Sequence, residues 1–141
     1  QAGRSLVLRQ AEALAERARE LGARHPAGLR LVPGVKPPRY QSAIDNHCMP
    51  GSYFAEYLEG DVSAAANYDA GMYATTTGLF GRYLDGAGRG IVEWLRRERP
   101  GWSPARVLDL GCGLGHNTVP LAQAFPQARI VAVDLAAPML R

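Results

Sequence analysis

The sequence predicts an α/β chain: a helical N-terminal portion followed by the first strand, helix and strand of a parallel sheet, apparently truncated at Arg141. Three observations predict it. Arg106 to Leu110 is a short β-branched and leucine-rich run, and glycines follow at 111, 113 and 115. That is the pattern of a buried parallel strand entering a turn stripped of Cβ atoms. His116 to Phe125 then carries Thr118, Leu121, Ala122 and Phe125 on one face at helical spacing. Arg129 to Val133 is a second apolar run, closed by Asp134.

Taken in order, the chain opens on an amphipathic stretch from Ser5 to Leu21. Val7, Ala11, Leu14, Ala18 and Leu21 recur in alternating steps of four and three residues, with Arg9, Glu12, Glu16, Arg19 and Glu20 on the other side. Such a stripe packs against the body of the protein or a partner helix, and its interleaved glutamates argue against a membrane surface. Ser5 is the expected N-cap and Gly22 the expected residue past the end. Residues 23–51 form an arm in which Pro26, Pro33, Pro37, Pro38 and Pro50, with Gly28, Gly34 and Gly51, forbid a long helix. Within it, Asp45-Asn46-His47-Cys48 reads as a turn with a buried cysteine. His25 and His116 are the only other histidines and no CxxC or HxxxH spacing exists, so neither a metal site nor a Cys/His catalytic site is indicated.

Most of the aromatics lie between Ser52 and Leu84. Tyr53, Phe54 and Tyr57 fall at helical spacing, as do Met72, Thr76, Leu79, Phe80 and Tyr83, which predicts a small helical core with tyrosine hydroxyls reaching solvent or backbone. Gly90 to Arg99 is a further helix grouping Ile91, Val92, Trp94 and Leu95, and Pro100-Gly101 stops it. Because Ser103-Pro104 leads straight into the first strand, this helix is expected on the sheet face. The chain thus divides into a helical cap over residues 1–104 and the start of the sheet domain over 105–141.

With 141 residues, 47% hydrophobic and 21% charged, the composition suits one ordinary core and not a disordered chain. No run approaches the ~18 apolar residues of a membrane span. Cys48 and Cys112 show no framework spacing, so a reducing cytoplasm is expected. A net charge of +3 from scattered arginines does not indicate nucleic acid.

The sharpest signal is Asp109-x-Gly111-x-Gly113-x-Gly115, followed 19 residues after its last glycine by Asp134. An acid at that distance sits where a doubly wound sheet binds ribose. The dinucleotide fingerprint, by contrast, wants a third glycine three positions after the second, where His116 stands. A pyrophosphate would also be opposed by a carboxylate two residues before the first glycine. The spacing resembles that of the class I S-adenosylmethionine-dependent methyltransferases, and Val131-Ala132-Val133-Asp134-Leu135 with Pro138-Met139-Leu140 looks like that family's second strand, ribose acid and next helix. The resemblance implies a Rossmann-like sheet, S-adenosylmethionine as cofactor, and a site drawn from Asp109, Gly111, Cys112, Gly113, Gly115, Asp134 and Leu135. Asp109 would help hold the cationic methionyl end while the helix N-terminus faces its carboxylate, or else would tie down the turn by accepting its N–H groups. Asp134 would take the ribose hydroxyls, or else cap the helix beginning near Ala136.

The resemblance further implies a lid ahead of the first strand, entered near Asn67-Tyr68-Asp69, with Tyr68 or Tyr73 as an aromatic wall for the sulfonium. The family's sheet has seven strands and this chain supplies two, begins with Gln1 and stops inside a helix, so a fragment is expected. Its open sheet edge and apolar face would need cover from the helical portion or from another chain, including a second copy. The expected activity is methyl transfer to an unidentified acceptor, with no residue here assignable as general base and the fragment itself not expected to be active. A nucleotide-dependent oxidoreductase and a non-catalytic interaction module on a degenerate fold are the competing classes.

Overall fold

A computed structural model describes residues 3–24 and 28–141, so Gln1 at the start and His25 and Pro26 of the arm lie outside the described residues. Two compact units are distinguished: Gln1–Gly71 with Leu135–Arg141, and Met72–Asp134.

In the first unit the N-terminal stripe forms two helices, α1 (Arg4–Leu8) and α2 (Ala11–Arg24), where one was expected. Gln10 N–H bonds to the carbonyl of Val7 at 2.9 Å, an i to i−3 step that tightens the chain between them. Gly3, not Ser5, stands at the N-cap, and Gly22 lies inside α2. A glycine in a helix interior costs about 1 kcal/mol and the helix tolerates it. Ala11 and Ala15 are the buried residues of α2, and of the stripe's members in that helix only Ala11 is buried. Among its described residues the arm makes only short elements, α3 (Arg39–Ser42) and a turn of 3-10 helix, Asn46–Cys48, and a second such turn, Ser52–Phe54, follows it. Tyr53, Phe54 and Tyr57 therefore do not share an α-helix. Cys48 is exposed, contrary to expectation, because it and His47 take positive φ (56° and 53°) in a tight turn that turns its side chain outward. Asp61 is fully buried and accepts the N–H groups of Tyr57 and Ser63 at 2.9 and 2.7 Å. Burial alone would push its carboxyl up, but the Ser63 hydroxyl and the N–H groups of Tyr57, Ser63 and Val62 outweigh it and hold the group below its ordinary value. The short C-terminal helix α7 (Ala137–Leu140) packs on the Ser52–Phe54 turn and buries Pro138 and Met139.

Helix α4 (Ser63–Thr75) ends earlier than the spacing of Thr76, Leu79, Phe80 and Tyr83 suggested. Gly78 N–H bonds to the carbonyl of Tyr73 and Thr77 N–H to that of Ala74, at 2.9 and 3.2 Å, with Thr77 at φ 51°. That is a Schellman stop with a β-branched residue where glycine is usual.

The second unit is built on α5 (Gly86–Glu98), β1 (Arg106–Leu110), α6 (Thr118–Ala124) and β2 (Arg129–Val133). Both strands have the expected limits and pair in parallel, Arg106 opposite Arg129 through Leu110 opposite Val133. Helix α5 starts a turn before Gly90, and its main neighbour is α6 and not the sheet. Gly88 explains this: it is buried, and a Cβ there would stand 2.9 Å from Pro120 Cγ. Val92 is the side chain that α5 buries, whereas Ile91 and Trp94 are 44% and 53% exposed. Leu108, Leu110, Val131 and Val133 face outward at 61%, 72%, 42% and 41% exposure, so one sheet face is open as expected.

Candidate functional site: the glycine turn at the strand tips

Side chains alternate along a strand, and the register sets Asp109 opposite Ala132. Asp134, two residues past Ala132, therefore shares the side of Asp109, and the exposed leucines and valines occupy the other. The two carboxylates stand at the C-terminal tips of neighbouring parallel strands, with the glycine turn leaving β1 beside them.

The turn is fastened to the end of β2. Gly111 and Cys112 both donate their N–H groups to the carbonyl of Val133, at 2.8 and 3.0 Å, and Gly113 donates to Asp134 Oδ2 at 2.9 Å. Three successive main-chain donors thus point at the second strand. Such convergence needs residues free of the usual φ limits, and Gly111, Gly113 and Gly115 take φ of 74°, 52° and 84°. A Cβ on Gly111 or Gly113 would meet nothing within 4 Å, so these glycines also leave open space beside the turn.

Each acid has a role that the sequence left open between two alternatives. Among the turn's N–H groups, that of Gly113 is taken by Asp134, and Ala136 stands at the N-cap of α7. Asp109 Oδ2 instead accepts the hydroxyl of Thr118 at 2.5 Å. Thr118 was placed on the packing face by its spacing, and its contact with an acid nine residues earlier was missed. The only available signal was a hydroxyl at the start of a helix that follows a strand-end acid. That helix starts at Thr118 and not at His116, since residues 111–117 are spent on the turn.

Cys112 is half-buried between the glycines, its Sγ 3.7 Å from the carbonyl of Gly113. Burial, then the carboxylates of Asp134 and Asp109, push its thiol up. Both acids therefore act on one point of the turn, where the local potential is negative. Leu135 follows Asp134 and is 52% exposed. Tyr68 lies in α4, edge-on to Tyr53 and His47 with ring centroids 5.5 and 5.8 Å apart. Tyr73 is exposed at 52%, and its ring lies against Gly78. No described helix is long and apolar enough to cross a membrane.

Residues 107–141 match a family described as a methyltransferase domain. A trans-aconitate 2-methyltransferase of Deinococcus radiodurans is 56% identical over 49 residues, which are 35% of this chain and 18% of that protein. Another, from Variovorax paradoxus, is 45% identical over 62 residues, 44% of this chain and 24% of that protein. A malonyl-[acyl-carrier protein] O-methyltransferase of Methylococcus capsulatus is 44% identical over 54 residues, 38% of this chain and 19% of that protein. The chain thus matches less than a quarter of the length of each of these relatives. No solved structure matches it.

Proposed function

We propose, on the premise that residues 107–141 are a segment of a class I S-adenosylmethionine-dependent methyltransferase domain, that this chain holds the methyl donor at its glycine turn for transfer to an acceptor. One observation carries the proposal: the N–H groups of Gly111, Cys112 and Gly113 are all spent on the end of β2, beside two carboxylates. A dinucleotide needs those donors for its pyrophosphate and would meet negative charge there. A sulfonium and an ammonium need the charge and do not need the donors. The residues present therefore fit S-adenosylmethionine better than NAD.

S-adenosylmethionine would supply an electrophilic methyl group on a good leaving group. This chain's part is to bind and orient. Asp134 would accept from the ribose hydroxyls, and Asp109 would attract the cationic methionyl end. Gly111, Gly113 and Gly115 would let the ligand touch main chain, with Cys112 and Leu135 as neutral walls. Holding the donor in one geometry lowers the barrier through proximity. Tyr68 and Tyr73 are proposed as lid residues over the donor. The relatives that match part of this chain are named for different acceptors, trans-aconitate and malonyl-[acyl-carrier protein]. We therefore read the glycine turn as serving the donor and not the acceptor, and no residue of it is assigned as general base.

Isothermal titration calorimetry of the full-length gene product with S-adenosylhomocysteine and with NAD tests the proposal. Saturable binding of the first and none of the second is expected, with Asp134→Ala abolishing it. Binding of NAD alone would establish the oxidoreductase class, and binding of neither the interaction module.

A further inference from the structure

We infer that Thr118 is a positioning residue that aims the Asp109 carboxylate at the methionyl end of the donor; this rests on the function proposed above. A threonine at the start of a helix ordinarily turns its hydroxyl onto nearby main chain, as a cap or a bond to an earlier carbonyl. Thr118 is the first residue of α6 and does neither in the hydrogen bonds it makes. Its Oγ1 reaches out of the helix to Asp109 Oδ2 at 2.5 Å, the short distance of a charge-assisted bond.

The geometry has a steric partner. Gly115 takes φ 84°, and a Cβ on it would lie 3.8 Å from Thr118 Cβ and 3.9 Å from Oγ1. The last glycine of the turn thus packs over the threonine, and Val119 N–H bonds to the carbonyl of Gly115 at 2.9 Å, fixing the start of α6 beneath the turn. A carboxylate at a strand tip can otherwise swing about its last torsion, which is broad for Asp. With Oδ2 held by Thr118, the direction of Oδ1 is set. Asp134 is held in the same way by Gly113, so each acid is aimed by a different part of the crossover. The two anchors serve different ends of the ligand: Gly113 acts through the ribose acid, Thr118 through the acid assigned to the amino-acid end.

This division gives a readout that a merely structural role would not move. S-adenosylhomocysteine carries the amino-acid end, and 5′-methylthioadenosine lacks it. In calorimetry on the full-length gene product, Thr118→Val, which keeps the branched shape and removes the donor, is expected to weaken S-adenosylhomocysteine about tenfold while leaving 5′-methylthioadenosine within about twofold. Thr118→Ser, which keeps the donor, is expected to restore the first affinity. Equal loss of both ligands would overturn the inference in favour of a packing role, and an unchanged affinity for S-adenosylhomocysteine would overturn it outright. If wild type binds 5′-methylthioadenosine but Thr118→Ser fails to rescue, the hydroxyl is not the cause and the inference also falls. A wild type that binds neither adenosyl ligand overturns the function proposed above together with this one.

Discussion

Adding one methyl group at Gly88 tests whether α5 is seated by direct contact with the segment that leaves the glycine turn. A Cβ there would lie 2.9 Å from Asn117 Cα, 2.9 Å from Pro120 Cγ and 3.0 Å from the carbonyl oxygen of His116. Carbon atoms in contact sit ~3.5–4.0 Å apart, so α5 would have to retreat by roughly 0.5–1 Å. Two of the three obstacles are main chain and the third is a proline ring, so none can rotate away. Overpacking of this kind costs about 1–3 kcal/mol. Alanine regains about 1 kcal/mol of helix propensity, which leaves Gly88→Ala about 0–2 kcal/mol less stable. Gly90 lies in the same helix, is exposed, and would bring a Cβ into contact with nothing within 4 Å. Gly90→Ala should therefore gain about 0.5–1 kcal/mol. The two variants should differ by about 0.5–3 kcal/mol, or roughly 2–9 °C in thermal midpoint for a chain of this size. Circular dichroism melts of the two side by side decide it. If both alanines raise the midpoint equally, the close approach of α5 to His116, Asn117 and Pro120 does not exist in solution, and the seating of the turn needs another cause.

Cys48 is exposed while Cys112 is half-buried with its thiol pushed up, so at mildly alkaline pH iodoacetamide should label Cys48 first. Mass spectrometry should then find Cys112 labelling faster in Asp134→Asn, since a lowered thiol value means more thiolate; equal rates in both proteins would contradict the shared field. The carboxyl of Asp61 lies below its ordinary value, so its contribution is fully present above the unfolded-state value and is lost as pH falls through the lower folded value. Urea midpoints measured down that window should fall more steeply for wild type than for Asp61→Asn, which should itself lose about 1–3 kcal/mol at neutral pH. The face formed by Leu108, Leu110, Val131 and Val133 is open, and the 141-residue chain alone should self-associate through it. Sedimentation over a concentration series should show Leu110→Lys reducing the mass; an unchanged distribution would clear this face of the association.

The second unit was legible where the cause is local. Arg106 to Leu110 and Arg129 to Val133 have strand composition, and a glycine turn plus a helix between them leaves only a parallel crossover. What escaped depends on contacts between distant residues or on conformations that composition disfavours. Gly88 reads as a poor helix former, and only the approach of Pro120 shows why α5 carries it. Thr77 is a β-branched residue at φ 51°, so no propensity rule would end α4 there. The helical spacing of Leu79, Phe80 and Tyr83 was real in the sequence and meaningless in the chain, because the Schellman stop had already turned the backbone. Asp61, a buried acid satisfied by main chain, lies in a stretch with no motif at all.

For the site the same distinction explains which half of each alternative could be read. Spacing gave the position of both acids, since strand tips follow from strand limits. It could not assign their partners, because Gly113 and Thr118 stand 21 and 9 residues from the acids they meet and only the closed crossover brings them together. Were both carboxylates bonded to the turn, two anions would converge on its N–H groups and repel one another. Giving Gly113 to Asp134 and the Thr118 hydroxyl to Asp109 holds each on a donor of its own. The raised thiol of Cys112 reports the negative field of both acids from inside the turn, and a cationic ligand would offset that field. An anionic ligand at this turn would have to displace three formed hydrogen bonds and add charge to a site already negative. A sulfonium would need to displace none of the bonds from Gly111 and Cys112 and would remove charge from it.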